Sequence, residues 1–146
     1  VRGEMMFRPL KFEFPNDKRA AVEDQLLVGE SIMICPVYEQ NAAGRYVYLP
    51  EDMKLIRMRA GDDCTEEVLP AGDRYIEVAL DEVVFFLRKG RVLPLAKPAK
   101  NTGELDESAL TYVKFIDRDT EYELYVGKGE KKSELEGALR KITVKA

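Results

Sequence analysis

Histidine is absent from this 146-residue sequence, and so is tryptophan. Without an imidazole, Ser-His-Asp and Cys-His nucleophile activation, imidazole acid/base catalysis and most zinc sites are excluded together. Carboxylates are the remaining acid/base groups. Cysteine occurs twice, Cys35 in an apolar run and Cys64 in a charged stretch, at a spacing that makes neither a metal site nor a disulfide framework. Both read as thiols rather than half-cystines. The longest apolar run, Val83-Val84-Phe85-Phe86-Leu87, is strand length and stops at Arg88-Lys89, so no segment is built to span a membrane. Neither sign of charge dominates: 23 basic residues stand against 27 acidic ones, interspersed, which opposes a phosphate-binding face and hence nucleic acid. The opening residues Val1-Arg2-Gly3-Glu4 lack the basic start and apolar core of a secretory signal, which gives a cytoplasmic expectation.

The sequence does hold, at 45% hydrophobic and 34% charged, enough apolar material for one sizeable core. Met5 to Pro15 begins apolar on both faces and then alternates Leu10, Phe12 and Phe14 against Lys11 and Glu13, which predicts a strand leaving a buried setting. Pro15-Asn16-Asp17 ends it, and Asp17 or Asn16 could cap a helix running through Leu26, Leu27 and Val28 to Gly29. From Ser31 onward the pattern is of short strands: 31–37, 45–50, 54–58, a run in which Ile76, Val78 and Leu80 share a core face, 84–88 and 92–95. Lys89-Gly90-Arg91 reads as a tight hairpin turn needing positive φ at Gly90. Residues 96–108 form a polar loop, and 110–116, 122–126 and 139–144 are three further strands. The fold class expected is mainly β, an antiparallel β-sandwich.

Candidate chemistry is thin. Adjacent acids stand at Asp62-Asp63, Glu66-Glu67 and Asp81-Glu82, with a cluster at Glu104, Asp106 and Glu107. Glycoside chemistry needs two carboxyl groups flanking one bond, whereas neighbours on a strand point to opposite faces, so these pairs read as solvated turns. Glu13 is the one acid at the end of an otherwise apolar strand, and its plainest reading is an exposed side chain. Lys89-Gly90-Arg91 and the stretch from Lys128 to Lys132 are basic but lack the interleaved aromatics of a nucleic-acid surface. Tyr38, Tyr46 and Tyr48 could form a sugar-stacking platform, although tyrosine on alternating strands more often serves sheet packing.

In order along the chain, Arg8-Pro9-Leu10 with Phe14-Pro15 and Asp17, then Asp24-Gln25, Gly29-Glu30-Ser31, Cys35-Pro36-Val37, Tyr48-Leu49-Pro50, Leu80-Asp81, and Phe86-Leu87-Arg88-Lys89-Gly90 with Pro94 resemble the C-terminal portion of family 31 glycoside hydrolases, the α-glucosidase family. Each motif is short, so the order and spacing carry the resemblance, over roughly residues 4–95. Beyond that only Tyr122-Glu123-Leu124-Tyr125 is similar, where many members continue into a distal β domain. Two departures stand out: Pro50 is followed by Glu51-Asp52-Met53-Lys54 instead of a Trp-Tyr-Asp-like segment, and Val84 replaces a usual proline.

The resemblance implies a parent enzyme that hydrolyses terminal α-glucosidic bonds with retention, using two aspartates of a (β/α)8 barrel. The Trp-x-Asp-Met-Asn-Glu-like motif holding the nucleophile is not in this sequence, so no catalytic, cofactor or metal residue transfers to it. Residues 1–30 would be the last barrel strand, loop and helix, and residues 31–146 the C-terminal sandwich that braces the barrel. The implied partners are the upstream catalytic barrel and, for the parent, an α-glucoside. An uncovered barrel strand would promote homo-oligomers. The alternatives from the residues themselves are a stand-alone carbohydrate-binding sandwich and a structural module without a ligand.

Overall fold

Strands dominate the computed structural model, which describes residues 5–59, 64–106, 108–125 and 139–146. Its centre is a six-stranded sheet in the order β1 (Phe7–Pro9), β2 (Leu26–Val28), β3 (Ile32–Ile34), β8 (Glu82–Arg88), β5 (Met53–Arg59) and β6 (Cys64–Leu69). Every adjacent pair in it is antiparallel. Three two-stranded ribbons complete the described strands: β4 (Gly44–Leu49) with β7 (Gly72–Glu77), β9 (Arg91–Leu95) with β10 (Thr111–Phe115), and β11 (Thr120–Tyr125) with β12 (Leu139–Val144).

The period of two along each strand sorts the central sheet into two cores. Met33, Met53, Leu55 and Phe86 point to one face, where Val47 and Leu49 of β4 and Ile76 of β7 meet them, along with Leu10 and Ala20. Ile56, Phe85 and Leu87 point to the other, against Val113 of β10 and the flanking Leu93, Leu95 and Phe115. The large sheet is thus sandwiched between two ribbons. Burial on both faces explains why β8 carries Val84-Phe85-Phe86-Leu87 without a polar break, and why β5 sets Leu55 and Ile56 side by side, one for each core. Each fully buried Leu, Met or Phe contributes about 1.5–3 kcal/mol relative to leaving it exposed.

Several expectations need correction. The strand expected over Met5–Pro15 is only three residues long and passes at once into a one-turn helix, α1 (Leu10–Glu13), whose Leu10 is buried. The helix expected from Asp17 to Val28 is not formed. Asp17 caps only the 3-10 turn Lys18–Ala20, accepting from the Arg19 amide at 2.9 Å, and Leu26–Val28 is strand β2. Gly29 does take positive φ (59°), but it turns the β2–β3 hairpin instead of ending a helix.

The charged stretch that holds Cys64 is an edge strand, β6, with Cys64 at its start. Ile76 is buried and Val78 packs on the core, but Leu80 is fully exposed, so the apolar face of that run ends one step early. Gly90 adopts φ 75° as expected, yet the strands on either side belong to different sheets. The Gly90 amide donates to Phe115 O at 2.7 Å, so the turn carries the chain from the central sheet to the covering ribbon.

Candidate functional site

Among the described acids singled out in the sequence, Glu66, Glu82, Glu104 and Asp106 are each engaged individually. Asp62, Asp63, Glu107 and Lys128–Lys132 lie outside the described residues. Glu66 takes the Lys54 ammonium at 2.7 Å across the β5–β6 ladder. Glu82 is not in a solvated turn: its side chain is nearly buried at the head of β8, accepting from Arg57 at 2.8 Å with Arg59 at 3.7 Å. Glu104 accepts from the Asn101 amide, and Asp106 accepts from the Ser108 amide and hydroxyl, so both fasten local turns. Among the described residues, no three His, Cys, Asp or Glu side chains converge as a metal site would require.

Glu13 is likewise no lone exposed acid. From α1 it receives Arg8 Nη1 at 2.7 Å and faces Arg88 Nη1 at 3.4 Å, while Arg88 Nε donates to Glu51 at 2.6 Å. Arg88 is buried, lies 5.1 Å from the Phe14 ring centre, and also reaches the Glu30 carbonyl. Arg8 Nη2 donates to Gly29 O at 2.6 Å. Two guanidinium groups between two carboxylates and two carbonyls form a nearly charge-balanced knot. It fixes the β1–α1 segment to the hairpin and to β8, a positioning role.

The groove with the strongest binding chemistry lies on the β4–β7 ribbon. Gly44 starts it: a β-carbon there would come within 2.3 Å of Ile76 O, so only glycine lets β4 and β7 close in this register. That register sets Tyr46 opposite Tyr75. Their rings meet edge to face, centroids 5.1 Å apart at 69°, on the outer side of the ribbon while Val47 and Ile76 fill the core beneath.

The third wall is the loop after β3, which carries Tyr38. Arg45 ties this loop down: it donates to Pro36 O at 2.8 Å and to Asp24 O at 3.3 Å, pairs with the Asp24 carboxylate, and sits 5.6 Å from the Tyr38 ring centre. Tyr38 Oη reaches the same carboxylate at 3.4 Å. The resulting groove has a volume of about 350 Å³ and is lined by the three tyrosines, Arg45, Asp24 and Glu39. Cys35 is the residue just before Pro36. Burial pushes its thiol up to about 12 against the opposing pull of Arg45, so it is protonated and not a nucleophile.

Of the tyrosines expected to share a platform, Tyr38 and Tyr46 do line one groove, joined by Tyr75, which sequence reasoning missed because only the long-range β4–β7 register brings it there. Tyr48 has another task. Its hydroxyl donates to Asp17 at 2.5 Å and its ring lies 4.4 Å below the Arg19 guanidinium, which pairs with Asp73. The Tyr48 hydroxyl and the Arg19 amide hold the Asp17 carboxyl below its ordinary value, and Asp17 in turn raises the Tyr48 phenol. Gln25, fully buried, completes this side by donating to Tyr48 O at 2.7 Å and accepting from Tyr48 N at 2.8 Å, in the manner of a neighbouring strand.

Comparison with known proteins is consistent with this arrangement. Residues 3–93 match the model of the glycosyl hydrolase family 31 C-terminal domain. A lysosomal α-glucosidase of Bos taurus is 30% identical over 94% of this chain, which corresponds to 16% of that protein. Among solved structures, a family 31 α-xylosidase of Xanthomonas citri superposes with a TM-score of 0.76 at 23% identity, covering 97% of this chain and 15% of the other. A family 31 dextranase of Flavobacterium johnsoniae, solved in complex with glucose, gives 0.72 at 25% identity, covering 99% of this chain and 18% of the other. The chain therefore spans about a sixth of the length of such relatives. No helix among the described residues is long and apolar enough to cross a membrane. By sequence match and by fold, the chain belongs to the C-terminal domain of family 31 glycosyl hydrolases.

Proposed function

We propose that this chain is the bracing part of an α-glucosidase-like enzyme whose catalytic aspartates lie in a barrel upstream, and that alone it hydrolyses nothing. The observation that carries the reading is the edge at β1. Met5, Met6 and Phe7, leading into β1, and Phe12 of α1 just after it are all exposed large apolar side chains beside the end strand of the central sheet in sequence. An uncovered apolar edge is a liability unless another surface closes it.

In this reading the segment 1–30 closes against the barrel along β1, while β2 joins it to the sheet built from residues 31–146 and the Arg8–Glu13–Arg88–Glu51 knot transmits the support. The parent acts on terminal α-glucosidic bonds with retention. A cytoplasmic parent is part of the proposal. Since a lysosomal enzyme is among the relatives, fractionation of source cells with an antibody to this domain separates the two locations.

Incubating the purified chain with an aryl α-glucoside tests the central claim. The expected outcome is no release of the phenol above buffer, and turnover that survives repurification to constant specific activity overturns it.

A further inference from the structure

We infer that the groove between Tyr38, Tyr46 and Tyr75 is a binding site for the pyranose rings of a neutral α-glucan chain. The three tyrosines are 68%, 74% and 50% exposed. One exposed tyrosine says little; three around a single concavity, supplied by two strands and a loop, make a shaped aromatic surface. A pyranose chair presents apolar C–H faces and a rim of hydroxyls. The tyrosine rings suit the faces, and Tyr38 Oη and the Asp24 carboxylate suit the rim.

Charge decides the ligand class. The Arg45 guanidinium is already engaged by the Asp24 carboxylate and by the Pro36 and Asp24 carbonyls, and Glu39 also lines the groove. An anion would find carboxylates and no uncompensated cation, while a cation would have to displace Arg45. A neutral polyhydroxylated ligand meets neither penalty. The volume of about 350 Å³ lies at the small end of ligand sites and suits one or two rings of an open chain. Arg45 also holds Tyr38 and its loop in place before any ligand arrives, which lowers the ordering cost of binding.

The choice of an α-glucan over other neutral sugars rests on the α-glucosidase reading above, whereas the groove argument stands without it. Calorimetric titration of the whole chain with maltotetraose, isomaltotetraose and cellotetraose distinguishes the two. Saturable heat is expected with at least one of the first two sugars. Tyr46→Ala and Tyr75→Ala should each weaken it by about tenfold or more, while Tyr46→Trp should retain it. Binding of cellotetraose alone overturns the α-glucan assignment, without touching the hydrolysis test of the parent reading. No saturable heat with any of the three, or heat unchanged in both alanine variants, overturns the site itself. Should an alanine variant fail to fold, tyrosine ring signals of the wild-type chain decide: sugar-dependent shifts at three tyrosines support the site, and none overturns it.

Discussion

The two end strands of the central sheet are finished in opposite ways. At β6 the chain presents Thr65, Glu66 and Glu67, all exposed, and Lys54 of the next strand, itself largely covered, answers Glu66 at 2.7 Å. Charged side chains on an edge discourage another strand from adding to it. At β1 the exposed side chains are Met5, Met6, Phe7 and Phe12, and the ion pairs have moved inward to the knot around Arg88. One edge is guarded, and the other is apolar and internally reinforced. The difference is between an edge closed to further strands and one that, in the proposed reading, meets the barrel.

Breaking the reinforcement should have the largest effect. In Arg88→Ala, Glu51 and Glu13 lose a buried cationic partner and the Phe14 ring loses its cover, at an expected cost of about 3 kcal/mol in urea unfolding. A loss below about 1 kcal/mol would show that the knot does not stiffen this edge. For contrast, Glu66→Ala at the guarded edge should cost under about 1 kcal/mol, as exposed carboxylates do.

Exchanging the character of the edges comes next. If the apolar edge drives association of the isolated chain, Met6→Lys with Phe7→Lys should return light-scattering mass to that of a monomer across a concentration series. Glu66→Val with Glu67→Val should create association at the other end. A wild-type chain that stays monomeric at every concentration would remove the basis for the contrast.

How legible these features were follows from how local their causes are. β5 and β8 could be read to within a residue or two: β8 holds five consecutive apolar residues, as a strand covered on both faces does, and β5 keeps the adjacent pair Leu55-Ile56 between Lys54 and Arg57. β6 escaped notice because an edge strand exposed along most of its length keeps a polar sequence; its ladder to β5 is supplied by the partner strand, which no local pattern reveals. Leu26-Leu27-Val28-Gly29 is ambiguous for a related reason. A glycine after three apolar residues ends a helix or turns a hairpin equally well, and here the outcome depends on pairing with β3 and on Gln25 bonding to Tyr48 across 23 residues. The family could be recognised because ordered motifs survive without any knowledge of pairing. The tyrosine groove could be seen only in part: Tyr38 and Tyr46 stood out, but Tyr75 joins them through register alone.

The smallest expected effect concerns the solvent-facing ties on the β1 side, and it works through pH. Asp17 and Asp73 join the Lys18–Ala20 turn to the β4–β7 ribbon through Tyr48 and Arg19, and both carboxyls are held below the ordinary 3.8. A carboxyl that binds its proton less readily when folded contributes stability that is fully present above 3.8 and disappears as pH falls through its lowered folded value. Tyr48 behaves in the reverse sense. Its phenol is raised above 10.0 by Asp17, so the neutral form is favoured in the fold, and that contribution is present below 10.0 and lost as pH rises through the raised value. Asp17→Asn removes the titrating partner from both arms. Melting temperatures followed from pH 2.5 to 6 should therefore show wild type above Asp17→Asn at pH 6 and the two converging toward pH 2.5. Since both groups face water, the gap should also shrink in high salt. A gap that stays constant over the whole acid range would mean that the tie works through its hydrogen-bond geometry and not through its charge.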